Sequence, residues 1–216
     1  WGVLDFAGGA VVHISAGFAS LAGALFLGKR KSNHLKSYNT SYVLLGTGML
    51  WFGWFGFNSG SALGANKDAI LAFATTNTAS AMCMITWLVM ESLKGNKLKA
   101  VDACIGAVVG LVVITPAAGF VNISQSMFMG FIGAFICNIF LGFFKRFDID
   151  DTLDVFACHG MGGIVGLLLT GVFAKDVGLV YGETSTFTSH VLALVIISFF
   201  TFLGSLSIYK ITSLII

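Results

Sequence analysis

The sequence predicts an all-α, polytopic membrane protein, a bundle of transmembrane helices, and three observations carry that prediction. Its 216 residues are 56% hydrophobic with a mean hydropathy of +0.91. Only 10% of residues are charged, against about 25% in soluble domains. Seven apolar stretches are each long enough, or nearly so, to cross a bilayer, which takes about 20 residues. None of them alternates with period two, which argues against a β-barrel. A net charge of +2 gives no reason to expect nucleic acid as a partner.

The first stretch, 4–28, begins at Leu4-Asp5 and carries His13 in LDFAGGAVVHISAG, with Gly9, Ala16 and Gly17 on the histidine's face. The second, 42–64, places Trp51, Phe52, Trp54, Phe55 and Phe57 ahead of Asn58, Ser59 and Ser61. Trp54, Phe57 and Ser61 follow at three and four, so they share a face. That face fits a small cation held by cation–π attraction and a hydroxyl, or an interfacial aromatic belt. The third, 69–93, holds Asn77 and Thr78, suited to bonds between helices. The fourth, 101–121, contains Thr115-Pro116 in ITPAAGF, where proline bends the helix and frees a carbonyl, a structural role. The fifth, 127–144, follows the sequon Asn122-Ile123-Ser124. The sixth, 153–174, opens on DVFACHGMGGIVG, with Asp154 near its start and Gly162 and Gly163 on the face of His159. The seventh is 190–215.

The loops set an orientation. Lys29, Arg30, Lys31 and Lys36 fall in one loop, Lys94, Lys97 and Lys99 in the next but one, and Lys145 and Arg146 in the next but one again. The intervening loops hold only Lys67 and Lys175. Basic residues favour the cytoplasmic side, so the first stretch runs outside to inside and the C-terminal end is expected in the cytoplasm. The protein is expected in the cell membrane. Cys83, Cys104, Cys137 and Cys158 all lie in apolar runs and read as small packing residues, with no disulfide, metal site or cofactor implied.

The stretches around His13 and His159 resemble each other: Leu-Asp, an aromatic residue, a histidine, small residues, an aliphatic run, a lysine. The loop charges make them antiparallel, and an inverted repeat with its site at the midplane is a recurring transporter design. A single intramembrane histidine is often no more than a satisfied polar residue. Two of them, each on a small-residue face, favour a shared polar path. Apolar surroundings favour neutral imidazole, which has one donor and one acceptor nitrogen. Two such rings can share a hydrogen bond and offer their outer nitrogens to a small solute or a proton. Asp5 and Asp154 each read as caps on a helix start, with a direct cation-ligand role as the alternative.

With these residues assembled, DFAGGAVVH, FGWFGFNSGSA, ITPAAGF and DVFACHGMGGIVG resemble, in order and spacing, motifs of the ammonium transporter (Amt/Mep/Rh) family, on its Amt branch. The resemblance spans nearly the whole chain. It implies a homotrimer of eleven-helix subunits, each with its own pore for ammonium or ammonia, and a cytoplasmic PII-type regulator as a candidate partner. It implies that His13 and His159 are twin pore histidines and that Phe57 is one of two gate phenylalanines. It also implies that Trp54 and Ser61 belong to an outer ammonium-recruitment site with Asp5 beneath it. The chain begins at Trp1. It is therefore expected to be a piece of a longer protein, covering roughly the fifth to eleventh helices.

The reading is a transporter, not an enzyme. Rival readings are a channel for another small neutral solute, which the aromatic cation site argues against, and an ammonium sensor signalling to a cytoplasmic partner. A proton-relaying redox protein would need a paired-histidine haem site or a cysteine cluster, and neither is present in the sequence.

Overall fold

The computed structural model describes residues 1–30, 39–147 and 149–215. Lys31 and Lys36, half of the first basic loop, lie outside the described residues. Seven α-helices occupy the seven apolar stretches: α1 Ser15–Leu27, α2 Thr40–Gly60, α3 Lys67–Leu93, α4 Ala100–Ile114, α5 Ile123–Phe144, α6 Met161–Phe173 and α7 Ser185–Ile215. A π-helical turn precedes α1 (Gly9–Ile14), another precedes α6 (Phe156–Gly160), and a short 3-10 turn, Leu179–Tyr181, lies before α7. The described residues contain no strand.

Among the described residues, five helical stretches are long and apolar enough to cross a membrane: Gly9–Leu27, Lys67–Leu93, Ile123–Phe144, Phe156–Phe173 and Ser185–Ile215. The two shortfalls against the sequence reading have local causes. α4 stops after 15 residues because Thr115-Pro116 ends it, and 115–120 turn instead of continuing the helix. Proline has no N–H to give and its ring crowds the preceding turn. α2 is 21 residues long, but its tryptophans, glycines and Asn58 lower its hydropathy.

α3 packs along both α4 and α5, and α6 lies among α4, α5, α7 and the first π turn. The deepest layer is Val109–Ile114 of α4 together with Ala79, Cys83, Met129, Ala134 and Cys137. Small residues bring these helices close: a Cβ on Gly130 would lie 2.3 Å from the Ala79 carbonyl oxygen. Membrane helices gain little hydrophobic drive from each other, so close van der Waals approach and hydrogen bonds hold them. Thr75 Oγ1 donates to the Ala118 carbonyl (2.7 Å), Ser80 Oγ to the Ala107 carbonyl (2.9 Å), and Thr78 shares a hydrogen bond with Ser126 (2.6 Å). Asn77, expected in that role with Thr78, is exposed. All four cysteines are free and buried.

Caps fix the helix starts. Asn39 accepts from Ser41 N–H, Asn66 from Ala69 N–H, and Asn122 from Gln125 N–H while Gln125 returns the bond to Asn122 N–H. The sequon asparagine is thus the cap of α5.

Candidate functional site

Both histidines enter on interrupted helices, and the interruptions share a construction. Residues 1–8 are not helical. Gly8, at φ 98°, turns this segment into the first π turn, a backbone angle that costs a side chain dearly and glycine little. The Asp5 carboxylate then accepts hydrogen bonds from the N–H groups of Gly9 (2.6 Å), Ala10 (3.0 Å) and Val11 (3.4 Å). Those amides have no helical partner, and an anion suits the positive end of the helix dipole. The far side of the segment is held by α4, where Phe6 N–H donates to the Pro116 carbonyl (3.0 Å) and Ala7 N–H to the Thr115 carbonyl (3.3 Å). The carbonyls around the proline therefore dock the segment that carries Asp5.

In the second histidine segment the cap is Asp151. Its carboxylate accepts Phe156 N–H at 2.6 Å and the Ser20 hydroxyl of α1 at 2.9 Å. Asp154 does not cap. It sits at φ 53° and pairs with Lys145 at 3.3 Å. Burial pushes its carboxyl above the usual carboxylate range, against the pull of Lys145. The capping role expected of Asp154 thus belongs to Asp151, because the chain turns at 151–154 before the helix begins. The spacing could have shown it: Asp5 precedes His13 by the same interval as Asp151 precedes His159.

The two segments cross where neither has a side chain. A Cβ on Gly17 would lie 2.2 Å from Gly160 Cα, and one on Gly163 would lie 3.0 Å from Ile14 N. Gly17 and Gly163, on the small-residue faces of the two histidines, are therefore contacts between the two interrupted helices, whereas Gly9 meets Pro116 and Gly162 meets Val112. That closeness brings the rings together, with His13 Nδ1 3.3 Å from His159 Nδ1 and ring centroids 5.3 Å apart. One Nδ1 must carry the shared proton and the other must accept it. The two outer Nε2 atoms then differ: the ring that donates at Nδ1 has a bare Nε2, and the ring that accepts has an Nε2–H. His13 Nε2 is buried with no partner among the described residues.

The aromatic cluster of α2 divides by depth. Trp54 stacks on the His13 ring (centroids 5.2 Å, planes 17° apart) and donates from Nε1 to Thr115 Oγ1 at 3.0 Å. Phe57 stands edge-on to both His13 (6.3 Å) and Trp54 (5.7 Å). Ser61 ends the helix, and its hydroxyl donates to the Phe57 carbonyl at 2.9 Å. Seven residues from Trp54 to Ser61 make about 10 Å of helix rise. Trp54 thus lies beside the histidine and Ser61 about two helical turns further along. Val12, His13, Met49, Leu50, Trp54 and Phe57 line an open apolar groove of about 710 Å³.

At the other end of the bundle, Arg30 binds Asp150 through Nε (2.6 Å), its own N–H (3.0 Å) and a paired Nη2 contact. These hydrogen bonds hold the Asp150 carboxyl at about 2. Together they fix the segment leading into Asp151. No group of histidine, cysteine and acidic residues among those described is arranged to hold a metal.

Comparison with known proteins bears on the whole chain. The model of the Ammonium Transporter Family matches residues 1–216. An ammonium transporter of Aquifex aeolicus is 51% identical over 188 residues, covering 84% of this chain and 44% of that protein. The crystal structure of Candida albicans Mep2 superposes with a TM-score of 0.90 at 37% identity, covering 96% of this chain and 50% of that one. A structure described as a sensor Amt protein superposes with a TM-score of 0.88 at 29% identity, covering 98% of this chain and 55% of that one. The chain spans about half the length of the curated relatives it matches.

Proposed function

The chain belongs to the ammonium transporter family, and from that premise we propose that the complete protein carries ammonium across the cell membrane, with His13 and His159 as the pair that passes it. The observation that carries this reading is the 3.3 Å Nδ1–Nδ1 contact between two histidines brought in by interrupted helices. A charged ammonium ion loses its hydration in an apolar passage at a cost of several kcal/mol. Neutral ammonia does not bear that cost. It has three donors and one lone pair, and the bare and protonated Nε2 atoms of a hydrogen-bonded imidazole pair complement both. The same pair can pass a proton through the shared Nδ1 contact. A potassium ion has no proton to leave behind and stays outside.

In this reading Ser61 receives ammonium at the outer end, Phe57 separates it from the histidines, and Trp54 holds His13 from the side. Asp5 acts beneath them as the anchor of the His13 turn. Basic residues at Lys29, Arg30, Lys94, Lys97, Lys99, Lys145 and Arg146 support a cytoplasmic C-terminal end. The same proposal includes a homotrimer and a cytoplasmic PII-type regulator, as the resemblance to the family implies.

The test is reconstitution of the complete protein in liposomes with an internal pH dye. Ammonium should alkalinise or acidify the lumen faster than in protein-free vesicles, according to whether ammonia or ammonium crosses, and equimolar potassium should give no response. No ammonium response from properly folded protein would overturn the proposal.

A further inference from the structure

His190, near the start of α7, is a histidine that the site above leaves unused. Its ring is fully enclosed. Nε2 accepts the Leu4 N–H at 2.8 Å, which places the proton of the neutral ring on Nδ1. Nδ1 has no partner among the described residues. Gly171 of α6 makes room for that edge, since a Cβ there would lie 2.6 Å from Nδ1.

The bond answers a backbone requirement. Residues 1–8 are not helical, and an N–H at membrane depth that no helix satisfies must find a partner in the protein. The segment is accordingly fastened on both sides of Asp5. Before it, Ser189 Oγ donates to the Trp1 carbonyl (2.7 Å) and His190 takes the Leu4 N–H. After it, Phe6 and Ala7 are tied to the carbonyls at the end of α4. Asp5 then holds the π turn, and the π turn holds His13. We infer that His190 is a positioning residue for transport: its Nε2 fixes Leu4, and through it the Asp5 carboxylate beneath the turn that aims His13. The inference rests on the transport reading. Packing alone would be served by an apolar side chain of similar size, so the acceptor nitrogen is what the proposal turns on.

The experiment uses the complete protein as wild type, H190L and H190Q. The glutamine side-chain oxygen reaches about as far as Nε2 and can accept the same N–H. Hydrogen exchange is followed by mass spectrometry on peptides spanning 4–12, alongside uptake of labelled methylammonium. In H190L, exchange at 4–12 should rise about tenfold, the factor one lost hydrogen bond supplies. Its maximal uptake should fall while half-saturation, set at the Ser61 end, stays near wild type. H190Q should restore both. Wild-type exchange and uptake in H190L would overturn the inference, and so would an H190Q protein as defective as H190L, since ring volume would then be the cause. Should the H190L chain fail to assemble, H190Q decides alone: slow exchange with normal uptake supports the inference, and fast exchange or lost uptake overturns it. Exchange is measured without substrate. A wild-type protein that moves no ammonium would therefore overturn the transport reading while the exchange data still judge the contact of Leu4 with His190.

Discussion

The His13 segment and the His159 segment differ most in their surroundings and least in their chemistry. Of the most apolar window of Phe156–Phe173, 61% is buried, against 33% for Gly9–Leu27. Val11 is 67% exposed and Val12 42%. Yet each segment has an aspartate eight positions before its histidine, a π turn held by that aspartate, and a glycine where it crosses the other. The histidine geometry is therefore set locally, by a carboxylate on backbone amides and by the absence of side chains at the crossing. The segments also differ in the work done by the cap. Asp5 serves three amides of its own turn, whereas Asp151 serves one amide and a hydroxyl on α1.

The crossing is the feature both segments share, and breaking it should have the largest effect on stability. Gly17→Ala drives a Cβ into the backbone of Gly160, where no flexible side chain can yield. Overpacking of this kind costs about 1–3 kcal/mol. Thermal unfolding of the complete protein in detergent should show the loss. A Gly17→Ala protein as stable as wild type would mean that the two interrupted helices do not meet as described.

The caps come next. Removing either carboxylate should cost about 1–2 kcal/mol, with Asp5→Ala at the upper end because three amides lose their acceptor. Hydrogen exchange separates the two: Asp5→Ala should speed exchange across 9–11, and Asp151→Ala at 156. Equal acceleration of both turns by either substitution would break the picture of two locally built histidine segments.

Asp154 should matter least. Asp154→Asn is expected to change stability by no more than about 0.5 kcal/mol at neutral pH, because relief of the carboxylate's burial offsets the lost pair with Lys145. Its pH dependence has a definite sign. The folded-state carboxyl is raised above its ordinary 3.8, so the folded protein binds this proton more readily than the unfolded chain does. Stability contributed by this group therefore falls as pH rises from that ordinary value through the raised one. Asp154→Asn should remove that slope. Urea unfolding midpoints at several pH values would measure it, and a slope of the opposite sign would contradict the assignment.

The fold was largely legible because membrane helices announce themselves by long apolar runs, but ITPAAGF, read as a bend inside the span 101–121, ends α4 at Ile114. His13 and His159 stood out because intramembrane histidines are rare. The depth of Trp54 was not legible, since sharing a helix face with Ser61 says nothing about position along it. Asp151 was hidden by the superficial match of Leu4-Asp5 to Leu153-Asp154, and the histidine spacing is the better guide. His190 gave no motif at all. Its role depends on a backbone N–H far away in sequence, which only the folded chain brings to it.

In the proposed pathway His13 and His159 act as one unit, a claim that a double-mutant cycle on transport would test. The complete protein would be compared with His13→Ala, His159→Ala and the pair, each reconstituted at equal density and assayed for initial methylammonium uptake. Side chains in contact couple, so either single substitution should remove most of the uptake, and the second should add little. Effects that add, or uptake and ion selectivity unchanged by His159→Ala, would contradict the claim.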